Sequence, residues 1–262
     1  DNERIRDAID FRNPALLQYE LAAWIPYYSF PYQLTQPKKV LLLGAGGGNE
    51  AVIAKLMGAE DIQAVEIDPV IASFGFTRHP NRPYTLPGVS VTIDDARAFI
   101  SRSKEKYDLI TLSALDSHMV IPGMSSLRLE SYIHTVDGYR QIRSLLKPHG
   151  AFCLHMSSIR PWMAPRNFYT VTEAFGKEPQ LLRSEPNPCG DWAYLIFNDD
   201  TRIGDETLKA NNITKLPVPP RPSPFLVNSD DWPFMYLEKP SIPAMCVWVL
   251  GSMLLISALL LT

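Results

Sequence analysis

The chain of 262 residues has few cysteines and no excess of positive charge. Its three cysteines, Cys153, Cys189 and Cys246, lie far apart and form no Cys-x-x-Cys or zinc-type spacing. We therefore expect neither a disulfide scaffold nor a metal site. The 25 Lys and Arg residues are balanced by 28 Asp and Glu residues. Because nucleic-acid-binding proteins usually show a basic excess or patch, this balance argues against a nucleic acid as partner.

Charged residues are absent from positions 242–262, the last 21 residues of the chain. About 20 apolar residues suffice to cross a bilayer as a helix, so we expect a transmembrane helix there, with the lipid bilayer as a partner. The run stops with the chain, and the chain begins at Asp1 without an initiator Met. We therefore interpret the 262 residues as an excerpt of a longer membrane protein. A buried C-terminal core helix is the alternative.

Continuous apolar runs followed by helical stretches predict an α/β fold. The runs Lys39–Leu43 and Tyr107–Ser113 do not alternate between apolar and polar residues, which is typical of strands covered on both faces. Helical patterns at 50–57 and 134–146 follow such strands. Strands that alternate with helices imply crossover connections and a mostly parallel sheet with helices on both faces. Two later runs, 180–183 and 192–197, are expected to form an antiparallel edge.

The composition divides the chain into four parts. Residues 1–38 are predicted to be a helical entry segment, with a helix over 13–28 and a loop marked by Pro31 and Pro37. A ligand-binding domain follows over 39–213. Proline-rich residues open the stretch 214–241, which is typical of an extended linker leading to a membrane-proximal segment. The apolar run 242–262 closes the chain.

The strongest local signal is a glycine loop between the first predicted strand and its helix. Gly44, Gly46 and Gly48 permit a tight turn and close approach of the backbone to a ligand. Glu66 ends the next strand, at a spacing that allows its carboxylate to accept hydrogen bonds from ribose hydroxyls. The loop has no Lys and no Ser or Thr in the order of a P-loop, which argues against a nucleoside triphosphate. The pattern therefore predicts binding of a nucleoside cofactor.

Two further carboxylates, Asp94 and Asp95, end the third predicted strand. The carboxyl ends of parallel strands share one edge of the sheet, which is where ligands bind in such folds. An acidic pair there can accept a hydrogen bond from the amino group of adenine. The acidic pair therefore favours an adenosyl sulfonium over NAD as the ligand, although the residues alone leave open which of the two cofactors binds.

Together these motifs resemble the spermidine synthase (aminopropyltransferase) family, a branch of the class I S-adenosylmethionine methyltransferase fold. The resemblance covers roughly residues 14 to 200 and is closest to bacterial spermidine synthase-like domains joined to transmembrane helices. It is carried by Tyr19-Glu20, Trp24-Ile25-Pro26, the loop 40–48, Glu66-Ile67-Asp68, Asp94-Asp95-Ala96, the stretches 107–110 and 134–150, Leu115-Asp116-Ser117-His118, and the stretches 125–129 and 230–234.

The resemblance implies a Rossmann-like domain that takes S-adenosylmethionine or its decarboxylated form as co-substrate, without a metal. It implies a small amine, such as a polyamine, as the second substrate and a homodimer as the assembly. Carried over to this chain, Asp116, Ser113 and His118 are the candidate catalytic residues. Tyr19 and Glu20 are the candidate substrate-binding residues.

Two positions depart from the family pattern. Soluble spermidine synthases carry an Asp in the glycine loop, which helps to hold the amine end of the ligand, and here that residue is Gly47. They also carry a strand-end Asp that helps to deprotonate the attacking amine, and here Ser113 takes its place. A serine hydroxyl supplies neither a charge nor a useful base unless it is activated.

Three functions therefore stay open. The first is a membrane-anchored aminopropyltransferase, the second a methyltransferase that uses S-adenosylmethionine, and the third a non-catalytic nucleoside sensor that regulates a membrane part. We favour the aminopropyltransferase, since the adenosine-contact positions and Asp116 are retained. We expect the domain on the cytoplasmic side of a bacterial inner membrane, because adenosyl cofactors are made in the cytoplasm.

Overall fold

The computed structural model describes residues 10–11, 21–113, 129–156, 160–185, 192–221, 227–239 and 244–260. Its centre is an eight-stranded sheet with the order β3-β2-β1-β4-β5-β7-β6-β8. The five strands from β3 to β5 are parallel, whereas β7, β6 and β8 join by antiparallel pairing. The mostly parallel sheet with an antiparallel edge is thus confirmed. The strands are β1 Lys39–Leu43, β2 Asp61–Glu66, β3 Val89–Ile93, β4 Tyr107–Ser113, β5 Leu146–Met156, β6 Gln180–Ser184, β7 Trp192–Phe197 and β8 Ile213–Lys215.

Helices cover both faces of this sheet, and each face has its own apolar core. Side chains of α1, α2, α3 and α7 pack on one face, and those of α4, α5 and α6 pack on the other. The central strand β1 lies between the two cores, and its residues 40–43 are at most 1% exposed. Continuous apolar runs are required by such double coverage. The helices are α1 Leu21–Thr35, α2 Asn49–Leu56, α3 Pro69–Thr77, α4 Ala96–Arg102, α5 Val136–Ser144, α6 Met163–Phe175, α7 Asp205–Ala210 and α8 Ala244–Leu260.

The entry helix ends later than predicted. Helix α1 continues through Pro26 and Pro31, although Pro31 was expected to mark a loop. Proline inside a helix removes one backbone hydrogen bond and usually bends or breaks the helix. In the last turn, the Thr35 hydroxyl donates to the carbonyl of Pro31 at 2.6 Å. Buried aromatic residues, Tyr27, Phe30 and Tyr32, also hold the helix on the sheet. The predicted part over 12–20 lies outside the described residues.

The structure describes the C-terminal helix α8 over part of the apolar run in the sequence. It covers 17 residues, which at 1.5 Å per residue is about 26 Å. The hydrocarbon core of a bilayer is about 30 Å thick. In the part of the chain that the structure describes, no helix is both long and apolar enough to cross a membrane. The transmembrane helix expected over 242–262 is therefore not supported.

The second half of the stretch 214–241 is fastened to the domain. The buried Arg166 of α6 donates to the carbonyls of Met235 at 2.7 Å and Glu238 at 2.9 Å, and its guanidinium lies 4.8 Å from the ring centre of Trp232. Asp230 accepts from Arg97 at 2.7 Å. Strand β8 also begins within the predicted core domain and ends in this stretch. Residues 227–239 therefore form part of the folded unit.

Two buried histidines make the fold sensitive to acid. Burial lowers the pKa of His134 and of His155 from 6.5 to about 3. The unfolded chain binds these protons at a higher pH than the folded chain, because its imidazoles are exposed to water. The two histidines therefore cost no stability above pH 6.5, and the free energy of unfolding decreases as the pH falls from 6.5 towards 3. Each pKa unit corresponds to about 1.4 kcal/mol, so the total loss is several kcal/mol.

We therefore expect urea unfolding to show a decrease in stability between pH 7 and pH 5.5, before most carboxylates titrate. The His155→Gln variant should show a clearly smaller decrease than the unaltered chain over the same interval. Equal stability of the unaltered chain at both pH values would contradict the burial of two neutral imidazoles.

Candidate functional site

The glycine loop lies where the sequence predicts, between β1 and α2 at the carboxyl edge of the sheet. Gly44, Gly46 and Gly48 have φ values of 74°, 56° and 96°. These lie in the left-handed region, which side chains with a Cβ disfavour. The alternation of such residues turns the chain sharply from the buried strand into the helix. The three glycines are therefore required by the backbone conformation of the loop.

Glu66 at the end of β2 holds this loop in place. Its Oε2 accepts from the backbone N–H of Gly46 at 2.8 Å, and its Oε1 accepts from that of Asp68 at 2.9 Å. The Tyr84 hydroxyl donates to the Gly46 carbonyl at 2.7 Å. Each carboxylate oxygen can accept a second hydrogen bond. Glu66 can thus support the loop and still accept a hydrogen bond from a ligand.

Asp94 and Asp95 lie at the end of β3, next to Glu66. The backbone N–H of Asp94 donates to the Glu66 carbonyl at 3.0 Å, which joins the two strand ends. The Asp94 carboxylate pairs with Arg102, and Asp95 Oδ1 accepts from the Ala98 N–H at 2.8 Å as the cap of α4. Both side chains are half-buried. The structure brings Glu66 and the two aspartates together, and it shows that each aspartate already has a partner.

Ser113 is the last residue of β4, and it reaches the same edge. It is 6% exposed, and its register partner on β5 is His155. Among the described residues, neither the Ser113 hydroxyl nor the two ring nitrogens of His155 have a hydrogen-bond partner. The other predicted catalytic and substrate-binding residues lie outside the described residues and stay predictions. These are Asp116, His118, Tyr19 and Glu20.

His155 lies against aromatic rings of α1. Its ring is edge-on to Tyr27, with centroids 4.6 Å apart, and stacks on Phe30 at 5.3 Å. The surroundings are apolar, which is why burial alone accounts for its lowered pKa. Sequence reasoning missed His155 because it lies within an apolar strand, where a single polar residue gives no periodic signal.

Glu50 is the second residue that the sequence did not single out. It lies in the first turn of α2 and is 7% exposed. Its Oε1 accepts from the Tyr32 hydroxyl of α1 at 2.9 Å. Burial raises the pKa of this carboxyl, and the nearby hydroxyls of Thr111, Tyr32 and Ser113 counteract part of the rise. A glutamate in the first turn of a helix is usually a solvent-exposed charge that favours the helix dipole, and only the packing shows that this one is buried.

Gly47, where related chains have an acid, differs from its neighbours in the loop. Its φ does not lie in the left-handed region, and a Cβ built on it would meet no atom within 4 Å. The backbone therefore does not require glycine here. The absent carboxylate is a chemical difference from the family pattern and has no steric cause.

Gly48 should tolerate no side chain. A Cβ at this position would lie 2.4 Å from Cγ of Pro83, in addition to the left-handed φ. We expect Gly48→Ala to lower the free energy of unfolding by about 2 kcal/mol or more, since strain and overlap add. Gly58→Ala is the matched control, because Gly58 has a φ of 90° but no atom within 4 Å of its Cβ position. The control should lose only about 1–2 kcal/mol, the cost of the backbone conformation. Urea unfolding measures both, and equal losses would refute the contact with Pro83.

The sequence profile of the spermine/spermidine synthase domain matches residues 24–177. The polyamine aminopropyltransferase of Thermoplasma volcanium is 24% identical over 191 residues, which cover 70% of this chain and 65% of that protein. That of Nitrosomonas europaea is 26% identical over 169 residues, covering 62% of this chain and 49% of that protein. The matched part thus spans about half to two-thirds of the length of these relatives.

Solved structures agree on the fold. The spermidine synthase from Thermotoga maritima superposes with a TM-score of 0.52 at 16% identity, covering 86% of this chain and 72% of that one. Human methyltransferase-like protein 13 in complex with SAH gives a TM-score of 0.52 at 17% identity, covering 73% of this chain and 87% of that one. At such identities the likeness concerns the Rossmann-like fold alone. Since the matched sequence profile covers more than half of the 262 residues, the chain belongs to the spermine/spermidine synthase family, a family of transferases.

Proposed function

We propose that this chain binds decarboxylated S-adenosylmethionine, or S-adenosylmethionine itself, at the carboxyl edge of the sheet and that it transfers the aminopropyl group of the decarboxylated form to an amine. One observation carries the proposal. The glycine loop is held open by the carboxylate of Glu66, which stands beside the strand-end aspartates. A loop that exposes backbone next to a carboxylate suits a nucleoside with two ribose hydroxyls. Membership of the family supports the same ligand class.

The adenosyl part would be held by residues of three neighbouring strand ends. Glu66 retains acceptor capacity for a ribose hydroxyl beyond its two backbone hydrogen bonds. Asp94 and Asp95 lie at the end of the next strand, on the side where adenine would extend. The Asp94–Arg102 pair is largely exposed on the arginine side, so a ligand can compete with it at a small cost.

The transfer itself needs an amine without its proton. The amine nitrogen attacks the carbon attached to the sulfonium, a C–N bond forms, and the C–S bond breaks to leave a neutral thioether. A polyamine is cationic at neutral pH, so a nearby acceptor must take one proton. Asp116, at the family's second carboxylate, and His118 are predicted to act as base and orienter, because Ser113 stands at the position of the family's base.

Two other functions compete with this proposal. The open position at Gly47 favours methyl transfer from S-adenosylmethionine, which needs no acid to hold an aminopropyl amine. Loss of both family acids, at Gly47 and Ser113, is also compatible with a sensor that binds the nucleoside and does not turn it over. Both alternatives use the same adenosyl site.

The adenosyl site is tested by calorimetry on the full chain with S-adenosylmethionine, its decarboxylated form and methylthioadenosine. We expect binding of at least the decarboxylated form. The Glu66→Gln variant should bind it roughly 10- to 100-fold more weakly, because a hydrogen bond to a charged acceptor is worth about 1.5–3 kcal/mol. The exposed Glu60→Gln variant is the matched control and should bind as the unaltered chain does.

Each result separates the candidate functions. Binding followed by transfer to a diamine supports the aminopropyltransferase. Transfer of methyl alone supports the second function, and binding without turnover supports the sensor. If no adenosyl compound binds, all three readings of the site are wrong.

We also propose that α8 contacts the lipid bilayer, with the domain on the cytoplasmic side. Its large apolar side chains are exposed on all sides of the helix, including three consecutive ones that are 63%, 64% and 56% exposed. A helix on the surface of a soluble domain buries a single apolar stripe. A helix that is apolar on all sides is instead suited to complete burial in an apolar phase. These residues are Val247, Trp248, Val249, Leu250, Met253, Leu254, Leu255, Ile256 and Leu259.

Flotation with phosphatidylcholine–phosphatidylglycerol vesicles tests this contact. The full chain, reconstituted from detergent, should float with the vesicles. A variant with Leu254→Lys and Leu255→Lys should remain at the bottom of the gradient, because two charges in hydrocarbon cost about 2.5–3.5 kcal/mol each. Leu56→Lys, at an exposed leucine of α2, is the control and should still float. Equal flotation of all variants would refute a role for α8.

A further inference from the structure

A buried tyrosine holds the glycine loop by one of its carbonyl groups. Tyr84 lies in the short turn Pro83–Thr85, between α3 and β3, and is 4% exposed. Its hydroxyl donates to the carbonyl of Gly46 at 2.7 Å. The N–H of the same glycine donates to the carboxylate of Glu66 at 2.8 Å. Side chains therefore hold both backbone polar groups of Gly46.

The ring of Tyr84 fills a space that two glycines leave for it. A Cβ built on Gly75 of α3 would lie 2.3 Å from Cδ2 of this ring, and a Cβ on Gly48 would lie 3.1 Å from its Cε1. Close packing of this kind restricts the ring to one position. Burial raises the pKa of the Tyr84 phenol above its ordinary value, so its hydroxyl stays a donor near neutral pH.

The peptide between Gly46 and Gly47 carries a donor that the domain does not use. In a trans peptide the C=O and the N–H point in opposite directions, so the N–H of Gly47 points away from Tyr84. Within the described part of the chain, no hydrogen bond of the loop involves this N–H, and a Cβ on Gly47 would meet no atom within 4 Å. The other N–H groups of the loop have acceptors in the domain, namely those of Gly44, Ala45, Gly46 and Gly48.

A peptide between two glycines needs a contact that sets its orientation. Neither Gly46 nor Gly47 has a Cβ, and glycine adopts positive and negative φ about equally readily. The peptide plane between them can therefore rotate at a small cost. Glu66 holds the N–H of Gly46, which belongs to the preceding peptide, and so leaves this plane free. The hydrogen bond from Tyr84 to the Gly46 carbonyl selects one orientation.

We propose that Tyr84 is a positioning residue of the adenosyl site and that it orients the N–H of Gly47 to bind a ribose hydroxyl. The inference rests on the proposed adenosyl site and is independent of the group that is transferred. A hydroxyl both donates and accepts hydrogen bonds. The ribose hydroxyl donates to Glu66, which retains acceptor capacity, and accepts from Gly47. A hydroxyl bound in both roles is distinguished from a hydrogen atom at the same position.

The experiment measures the affinity of the full chain for methylthioadenosine and for its 2′,3′-dideoxy form by calorimetry. We expect Tyr84→Phe, which keeps the ring, to bind methylthioadenosine about 3- to 10-fold more weakly, the effect of one hydrogen bond. The unaltered chain should bind the dideoxy form at least about 10-fold more weakly than methylthioadenosine. Tyr84→Phe and the unaltered chain should bind the dideoxy form equally, because this form has no hydroxyl for Gly47 to bind.

The matched control is Tyr107→Phe, at a buried tyrosine that begins β4 and so lies at the opposite edge of the sheet. It should bind both nucleosides as the unaltered chain does. Urea unfolding checks that each variant is folded under the conditions of the calorimetry. A purely structural role of the Tyr84 hydroxyl would weaken the binding of both nucleosides alike.

Equal weakening for both nucleosides in Tyr84→Phe would therefore overturn the inference, and so would an unchanged affinity of this variant for methylthioadenosine. Equal binding of the two nucleosides by the unaltered chain would also overturn it. In each of these cases the unaltered chain still binds a nucleoside, so the proposed function survives. If the unaltered chain binds neither nucleoside, the proposed adenosyl site and the role of Tyr84 both fail.

Discussion

The Glu66 carboxylate is the interaction on which the ligand-binding edge depends. It accepts from the N–H of Gly46 in one connection and from that of Asp68 in the next, so the ends of two parallel strands are held at a set separation. The left-handed glycines can turn the chain there only because this acceptor satisfies the exposed backbone donor. The start of α2 and the caps of α3 and α4 lie at the same edge of the sheet.

The same edge has an apolar side and a polar side. Helix α1 contributes aromatic rings that enclose His155, whereas α2 contributes Glu50 and β4 contributes hydroxyls. In a low-dielectric surrounding each of these groups is costly to bury, and the cost is offset by the packing of α1 on the sheet. A domain that needed only stability would place apolar side chains at these positions. The retention of polar groups next to Ser113 is thus an argument for chemistry at this edge.

Much of the fold could be predicted from the sequence because its strands are buried on both faces. Continuous apolar runs identify β1 and β4 directly, and the glycine loop identifies the junction after β1. The end of helix α1 could not be predicted, because prolines such as its Pro26 and Pro31 ordinarily end a helix. The helix continues past them because its side chains pack on the sheet. Strand β8 has three residues, too few for a periodic pattern. Glu50 was missed because its burial depends on α1 and β4, which are distant in sequence.

The hydrogen bonds from Arg166 to the carbonyls of Met235 and Glu238 limit the distance between the start of α8 and the domain. Arg166 holds the Glu238 carbonyl, and six peptide links separate Glu238 from Ala244, the first residue of α8. Each link extends at most about 3.6 Å, so the helix begins within about 22 Å of the fastened segment. The folded domain is therefore held close to any surface that α8 occupies.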